Sequence, residues 1–197
     1  MKVLILDGST SHDQFAKDIS SFASSHLIEG GGEVESLELE LIDIKGCMGC
    51  FGCWIKTPGI CVIDDRSADP DERKGFVAMV NSGFPEAEQN ETALAICRQF
   101  SLEANMEWLG GLALGGGMAI GGRPLKDLGG MTRNIVKALD TATSDRVRGK
   151  QVSAEARQRM ELPIAPKFLF IRMGNKMWKK LAKENGVEND FDNTPYQ

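Results

Sequence analysis

Cys47, Cys50, Cys53 and Cys61 fall in one stretch, Cys47-Met-Gly-Cys50-Phe-Gly-Cys53-Trp-Ile-Lys-Thr-Pro-Gly-Ile-Cys61, with the spacing C-x2-C-x2-C-x7-C. Thiolates are soft ligands, and the glycines between them let the backbone bring them round one centre. Such a run suits an iron–sulfur cluster or a tetrahedral zinc ion. Pro58 stiffens the turn before the last cysteine. Thiols that hold no metal are a third reading, because ligand softness does not separate the three.

The elements around this run must position it. Lys2–Leu6 is a short apolar stretch closed by Asp7-Gly8-Ser9, which predicts a buried parallel strand ending in a turn. Phe15, Ile19, Phe22 and Leu27 then recur near helical spacing up to Gly30-Gly31-Gly32, predicting an amphipathic helix with a glycine stop. Val34–Leu41 alternates apolar with polar residues and predicts a second strand. The opening is therefore β-α-β, with the right-handed crossover that chain chirality imposes.

After the cysteines and Val62-Ile-Asp64-Asp65, a strand is predicted over 74–81 and a helix over 86–105, with Ala93, Ile96, Cys97 and Phe100 on one face. Cys97 on that face reads as a free core cysteine. Another strand is predicted over 108–114. A glycine-rich loop from Gly115 to Gly130 follows, of which Gly115–Gly122 is too glycine-rich to be core and is expected to form a flexible lid or cofactor loop. The next helix begins near Met131, with Ile135, Val136 and Leu139 inward. Alternating strands and helices predict an α/β fold with a doubly wound parallel sheet. Ligands in such sheets sit at the carboxyl ends of the strands. Gly8–Asp13, the cysteine loop, Asn81–Glu86 and Gly115–Arg123 are the loops expected at that edge.

With 197 residues the chain is long enough for one sizeable core. Its net charge of −5 argues against nucleic acid as a partner, which calls for a basic surface. No run approaches a membrane span, and Met1–Asp7 is too short an apolar stretch for a secretory signal. A cytoplasmic protein without a membrane partner is expected, and a disulfide framework is accordingly disfavoured.

The opening strand ending Leu-Asp-Gly-Ser, the cysteine run trailed by Asp64-Asp65, and Asn81-Ser-Gly-Phe-Pro-Glu86 with Glu107-Trp-Leu-Gly-Gly together resemble the flavodoxin-like NAD(P)H-dependent FMN reductase family. The closest likeness is to its cysteine-containing branch, which includes the iron–sulfur flavoproteins. The resemblance covers residues 1–66 and about 74–150. It implies a three-layer α/β/α domain over 1–150 that contains the 47–61 cysteine loop, followed by a helical extension over 151–197. It implies an FMN phosphate on Gly8, Ser9, Thr10 and Ser11, with His12 adjoining, and places Asn81, Ser82, Gly83 and Phe84 to contact the flavin ring, where a plain turn punctuated by Gly83 and Pro85 is the alternative. It further implies a [4Fe–4S] cluster on Cys47, Cys50, Cys53 and Cys61, NAD(P)H as co-substrate, an onward electron acceptor and a homo-oligomer.

Hydroxyls and backbone N–H groups at a helix N-terminus suit an anion, although Ser9–Ser11 capping the first helix would look the same. Asp13 stands where a phosphate would be repelled. The chain also departs from the family pattern in its middle. Only Arg66–Arg73 separates Asp65 from the next strand. A βαβ unit needs ~30 residues, so the central strand is absent from the sequence. In a natural short form the first and later strands would have to pair directly. Asp64 and Asp65 read as caps. No GxGxxG fingerprint and no nucleophile triad is present, which a flavin enzyme does not need.

Lys167 to Lys183 holds six basic residues and no acidic one, with Phe170, Met173, Met177, Trp178 and Leu181 at helical spacing. A basic amphipathic helix is predicted, its apolar face expected to pack on its own domain or a twin subunit, with an anionic membrane surface or a partner as the alternative for it. The functional expectation is an FMN-dependent oxidoreductase, with a non-catalytic metal-binding or interaction module of the same descent as the alternative.

Overall fold

The computed structural model describes residues 1–10, 12–41, 50–56 and 75–188. The chain is α/β, built on two two-stranded parallel sheets. β1 (Lys2–Asp7) pairs with β2 (Glu33–Glu38) from Lys2↔Glu33 to Asp7↔Glu38. β3 (Gly75–Asn81) pairs with β4 (Glu107–Leu114), with one register shift between Phe76 and Val77.

Among the described residues the strands form two separate pairs, and the single doubly wound sheet expected from sequence is not seen. β1 and β3 belong to separate sheets and do not pair with each other. Parallel neighbours need a strand at hydrogen-bonding distance, and among the described residues none lies between these two. The cost is visible on β1, where Leu4 and Leu6 remain about half exposed.

Between β1 and β2 runs α1 (Gln14–Glu29), whose buried Phe15 and Leu27 lie on the predicted apolar face. Its N-cap is Asp13, whose side chain accepts from the Ala16 amide at 3.1 Å, so the capping expected of Ser9 and Thr10 falls to Asp13. The helix stops at Gly30 and Gly31, whose amides donate to the carbonyls of His26 and Ile28 at 3.0 and 2.9 Å. β2 ends at Glu38 rather than Leu41, because β1 offers no partner beyond Asp7, and Leu39–Leu41 turns into a short 3-10 segment.

A four-residue helix, α2 (Gly52–Ile55), carries Cys53. The helix predicted over 86–105 is two pieces: a 3-10 turn at Ala87–Asn90 and α3 (Glu91–Glu103). The Asn90 side chain donates back to the Ala87 carbonyl at 3.1 Å, a local bond that competes with helix continuation. The helix end is fixed by Asn105 in the left-handed region, φ 54°. The apolar face of α3 is only partly used. Ile96 and Phe100 are exposed, and Cys97 is half-buried and free.

The Gly115–Gly130 stretch is folded into the core, which corrects the expectation of a lid. It forms α4 (Gly117–Ile120) and a kinked 3-10 segment over Leu125–Thr132, and both Ile120 and Leu128 are buried. Its glycines serve the αL positions Gly116 and Gly121 that flank α4, leaving the intervening apolar residues free to point inward.

α5 (Arg133–Val147) and α6 (Ala154–Met160) complete the main core. Leu112 and Leu114 of β4 pack with Phe15, Ile135, Leu139, Ala156 and Met160. Each such large apolar side chain contributes about 1.5–3 kcal/mol on burial. The core therefore runs past residue 150 into α6. Finally α7 (Lys167–Glu184) forms as the periodicity predicts, but only Phe170 and Ala182 of it are buried, so most of its apolar face does not pack on the domain.

Candidate functional site

Three of the four loops expected at the strand carboxyl ends are described, and the structure ties them into one rim. The segment after β4 is the link. Gly116 and Gly117 donate their amides to the carbonyls of Phe84 and Ser82 at 2.6 and 2.7 Å, and Ser82 in turn donates to the Leu114 carbonyl at 3.0 Å. At its other end, Gly122 accepts from the Gln14 amide at 3.1 Å, the first residue of α1. The loops after β1 and β3 are thus joined through residues 115–123.

The approach is close enough to demand glycine. A Cβ on Gly117 would lie 2.8 Å from both terminal atoms of the Asn81 side chain. A Cβ on Gly115 would lie 2.5 Å from the Pro85 carbonyl oxygen.

After β1, Asp7 is buried, and its carboxylate organises the turn. Ser9 donates its amide at 2.9 Å and its hydroxyl at 2.6 Å to Oδ1, and the Ser20 hydroxyl donates to Oδ2 at 3.2 Å. Burial pushes the Asp7 carboxyl up, but the bonds from Ser9 and Ser20 and the charge of Lys17 outweigh it and hold the group below its ordinary value. Ser9 therefore points inward, toward Asp7.

Two carboxylates, Asp7 and Asp13, flank Gly8–His12. Residues 115–123 carry one cation, Arg123. Its Nε and Nη2 donate to the Ile120 and Ala119 carbonyls at 3.0 and 2.7 Å, which holds the guanidinium against the end of α4.

On the ring side, Phe84 is 64% exposed and nothing stands within 4 Å of a Cβ built on Gly83. Asn90, which the sequence reading passed over, is the buried tie of this side. Its Nδ2 donates to the carbonyls of Leu114 and Ala87 at 2.9 and 3.1 Å and approaches Ser82 Oγ at 3.3 Å. Glu86 closes the rim with an ion pair to Lys167 at 2.7 Å. The Lys167 ammonium lowers the Glu86 carboxyl, and Glu86 in return raises the lysine.

Of the expected site residues, Gly8, Ser9 and Thr10 lie on the loop after β1, and Asn81–Phe84 lie at the end of β3. Ser11 lies outside the described residues, as do Cys47 and Cys61. Cys50 is exposed, and Cys53 falls in α2. Among the described residues, no three His, Cys, Asp or Glu side chains are grouped to hold a metal ion.

The signals for the missed residues differ in kind. Asp7 was legible as Asp-x-Ser at a strand end, a side-chain turn pattern. Asn90 carries no local signature for its bond to Leu114, because that partner is brought in by the fold, whereas Arg123 bonds to carbonyls three and four residues before it. A groove of about 680 Å³ adjoins this rim at Gln14 and is lined also by Asp18, Phe22, His26, Leu125 and Lys126.

Comparison with protein-family models, with curated proteins and with solved structures found no match to this chain.

Proposed function

We propose that the chain is a flavodoxin-like, FMN-dependent oxidoreductase of the NAD(P)H-dependent kind, acting in the cytoplasm as a homo-oligomer. The observation that carries the reading is the continuous rim at the strand carboxyl ends, where residues 115–123 bond to both the loop after β3 and the start of α1. Open sheets of this class take their ligands at that edge.

Most of the rim fits the cofactor. Exposed Phe84 and the open backbone at Gly83 suit a flat ring. Thr10 and Arg123 would hold the phosphate end, the first by its hydroxyl and the second by its charge. Asp13 is the misfit, since its carboxylate already caps the α1 N-terminus where a phosphate would gain most. FMN, when bound, supplies the two-electron chemistry, taking hydride from NAD(P)H and passing electrons to an acceptor. The chain's own residues bind and orient. Asn90 fixes the end of β4 against the ring-side loop, and Asp7 fixes the turn of Gly8 and Ser9. The [4Fe–4S] cluster on Cys47, Cys50, Cys53 and Cys61 belongs to the same proposal.

A second reading, a non-catalytic metal-binding or interaction module, is favoured by the separation of β1 from β3. One experiment divides the two. Full-length protein purified without oxygen is titrated with FMN, following flavin fluorescence, and assayed for iron, zinc and labile sulfide. Saturable FMN binding with NAD(P)H-dependent bleaching supports the oxidoreductase. A protein that takes up no FMN overturns it, and zinc in that sample moves the reading to the module.

A further inference from the structure

The α7 helix carries a surface that neither the core nor the proposed flavin rim uses. Over its 18 residues stand six basic side chains and a single acidic one, Glu184, in a chain whose net charge is −5. At 3.6 residues per turn, Arg172, Lys176, Lys179, Lys180 and Lys183 share an arc of roughly 100°. Apolar residues fill most of the remainder. The middle of that apolar arc anchors the helix. Phe170 is buried, and with Ile164 it faces Gly116, while Gly174 faces Met118.

On one flank of the arc the large side chains are left open, although Ala182 there is buried. Phe168, Ile171 and Trp178 are 74%, 50% and 48% exposed. This flank borders the basic arc directly, at Lys179 and Arg172. Among the described residues, Lys180 pairs with Glu184 within the helix and Lys167 with Glu86, while Arg172, Lys176, Lys179 and Lys183 face no carboxylate.

The occupant this surface fits is an anionic membrane surface. Exposed aromatic and aliphatic side chains beside unpaired cations match a helix lying in the plane of the headgroups. The rest of the chain is acidic and would be repelled by anionic lipid, which leaves α7 as the element able to approach it. The helix is about 27 Å long, enough for a broad contact. No helix among the described residues is long and apolar enough to cross a membrane, so the contact is peripheral.

We propose that α7 docks this protein on anionic lipid, with Phe168, Ile171 and Trp178 entering the headgroup boundary and Arg172, Lys176, Lys179 and Lys183 over the lipid phosphates. This inference stands independently of the flavin reading. The test is co-sedimentation of full-length protein with vesicles of phosphatidylcholine alone and of phosphatidylcholine with phosphatidylserine, at low and high salt. Light scattering on the same samples without vesicles reports the oligomeric state.

Binding is expected only with phosphatidylserine present, and it weakens at high salt. Lys176→Glu/Lys179→Glu/Lys183→Glu should cut partitioning by roughly 50-fold or more. Ile171→Ala/Trp178→Ala should weaken it at both salt concentrations. Circular dichroism checks that both variants stay folded. Equal binding to neutral vesicles, no binding to either, or self-association abolished by Ile171→Ala/Trp178→Ala would each overturn the proposal, the last by assigning the face to a second copy of the chain.

Discussion

The side-chain amide of Asn90 donates to the backbone carbonyl of Leu114 at 2.9 Å, across 24 residues of sequence. Leu114 is the last residue of β4 and fully buried, so this bond sets where the strand ends and where the Gly115–Gly117 turn begins. Asn90 is itself 2% exposed, and loss of its donors leaves two carbonyls without that partner away from water. Asn90→Ala should lower the unfolding free energy by about 1–3 kcal/mol. Asn90→Asp, which replaces the donors with a buried charge, should lower it further. Urea melts of the two variants check the order, and equal stability of Asp and Asn at this position would contradict the assignment.

Asp7 predicts a pH dependence. Its folded carboxyl lies below the ordinary value of 3.8. A depressed carboxyl stabilises the fold above the unfolded-state value, and that contribution is lost as pH falls through the folded value. Asp7→Asn should therefore cost about 1.5–3 kcal/mol near neutral pH, the range for hydrogen bonds to a charged group. The gap between the variant and the parent should narrow as pH drops below about 4. Denaturant melts over a pH series test this. A gap that stays constant through the acid range would show that the charge of Asp7 is not what the Ser9 and Ser20 bonds stabilise.

Gly115 tests the rim by sterics alone. A Cβ there would meet the Pro85 carbonyl oxygen at 2.5 Å and the Ala87 amide nitrogen at 3.0 Å, both backbone atoms that cannot rotate away. Gly115→Ala should destabilise by about 1–3 kcal/mol, as overpacking does. Gly130→Ala, with nothing within 4 Å of the added carbon, is the control and should be close to neutral. Thermal unfolding of the pair separates a close approach from a general need for glycine.

Asp13 tests the flavin reading. Asn caps a helix as well as Asp does, so Asp13→Asn keeps the bond from the Ala16 amide and removes only the charge. If FMN phosphate sits at the start of α1, the variant should bind FMN more tightly, on the order of tenfold at low salt, with the gain shrinking as salt screens the site. Fluorescence titration at two salt concentrations measures it. Unchanged affinity in a protein that does bind FMN would move the phosphate off this helix.

The sequence determined the local elements, because periodicity and stop signals are written in consecutive residues. Phe15 and Leu27 at helical spacing before Gly30 placed α1, and the apolar runs of Val77–Val80 and Leu109–Leu114 placed β3 and β4 within a residue or two. The α/β class follows from that alternation alone. The amphipathic character of α7 was equally legible. The burial of its face was not, since whether Ile171 and Trp178 meet a neighbour depends on where the domain ends in space. Gly115–Gly130 misled for a related reason. Glycine content registers backbone permissiveness and says nothing of whether Ile120 and Leu128 between the turns find a core. The separation of β1 from β3 and the tie from Asn90 to Leu114 were decided by tertiary structure. Each rests on hydrogen bonds between segments distant in sequence, or on the want, among the described residues, of a strand to carry them, and no local pattern encodes such a partner.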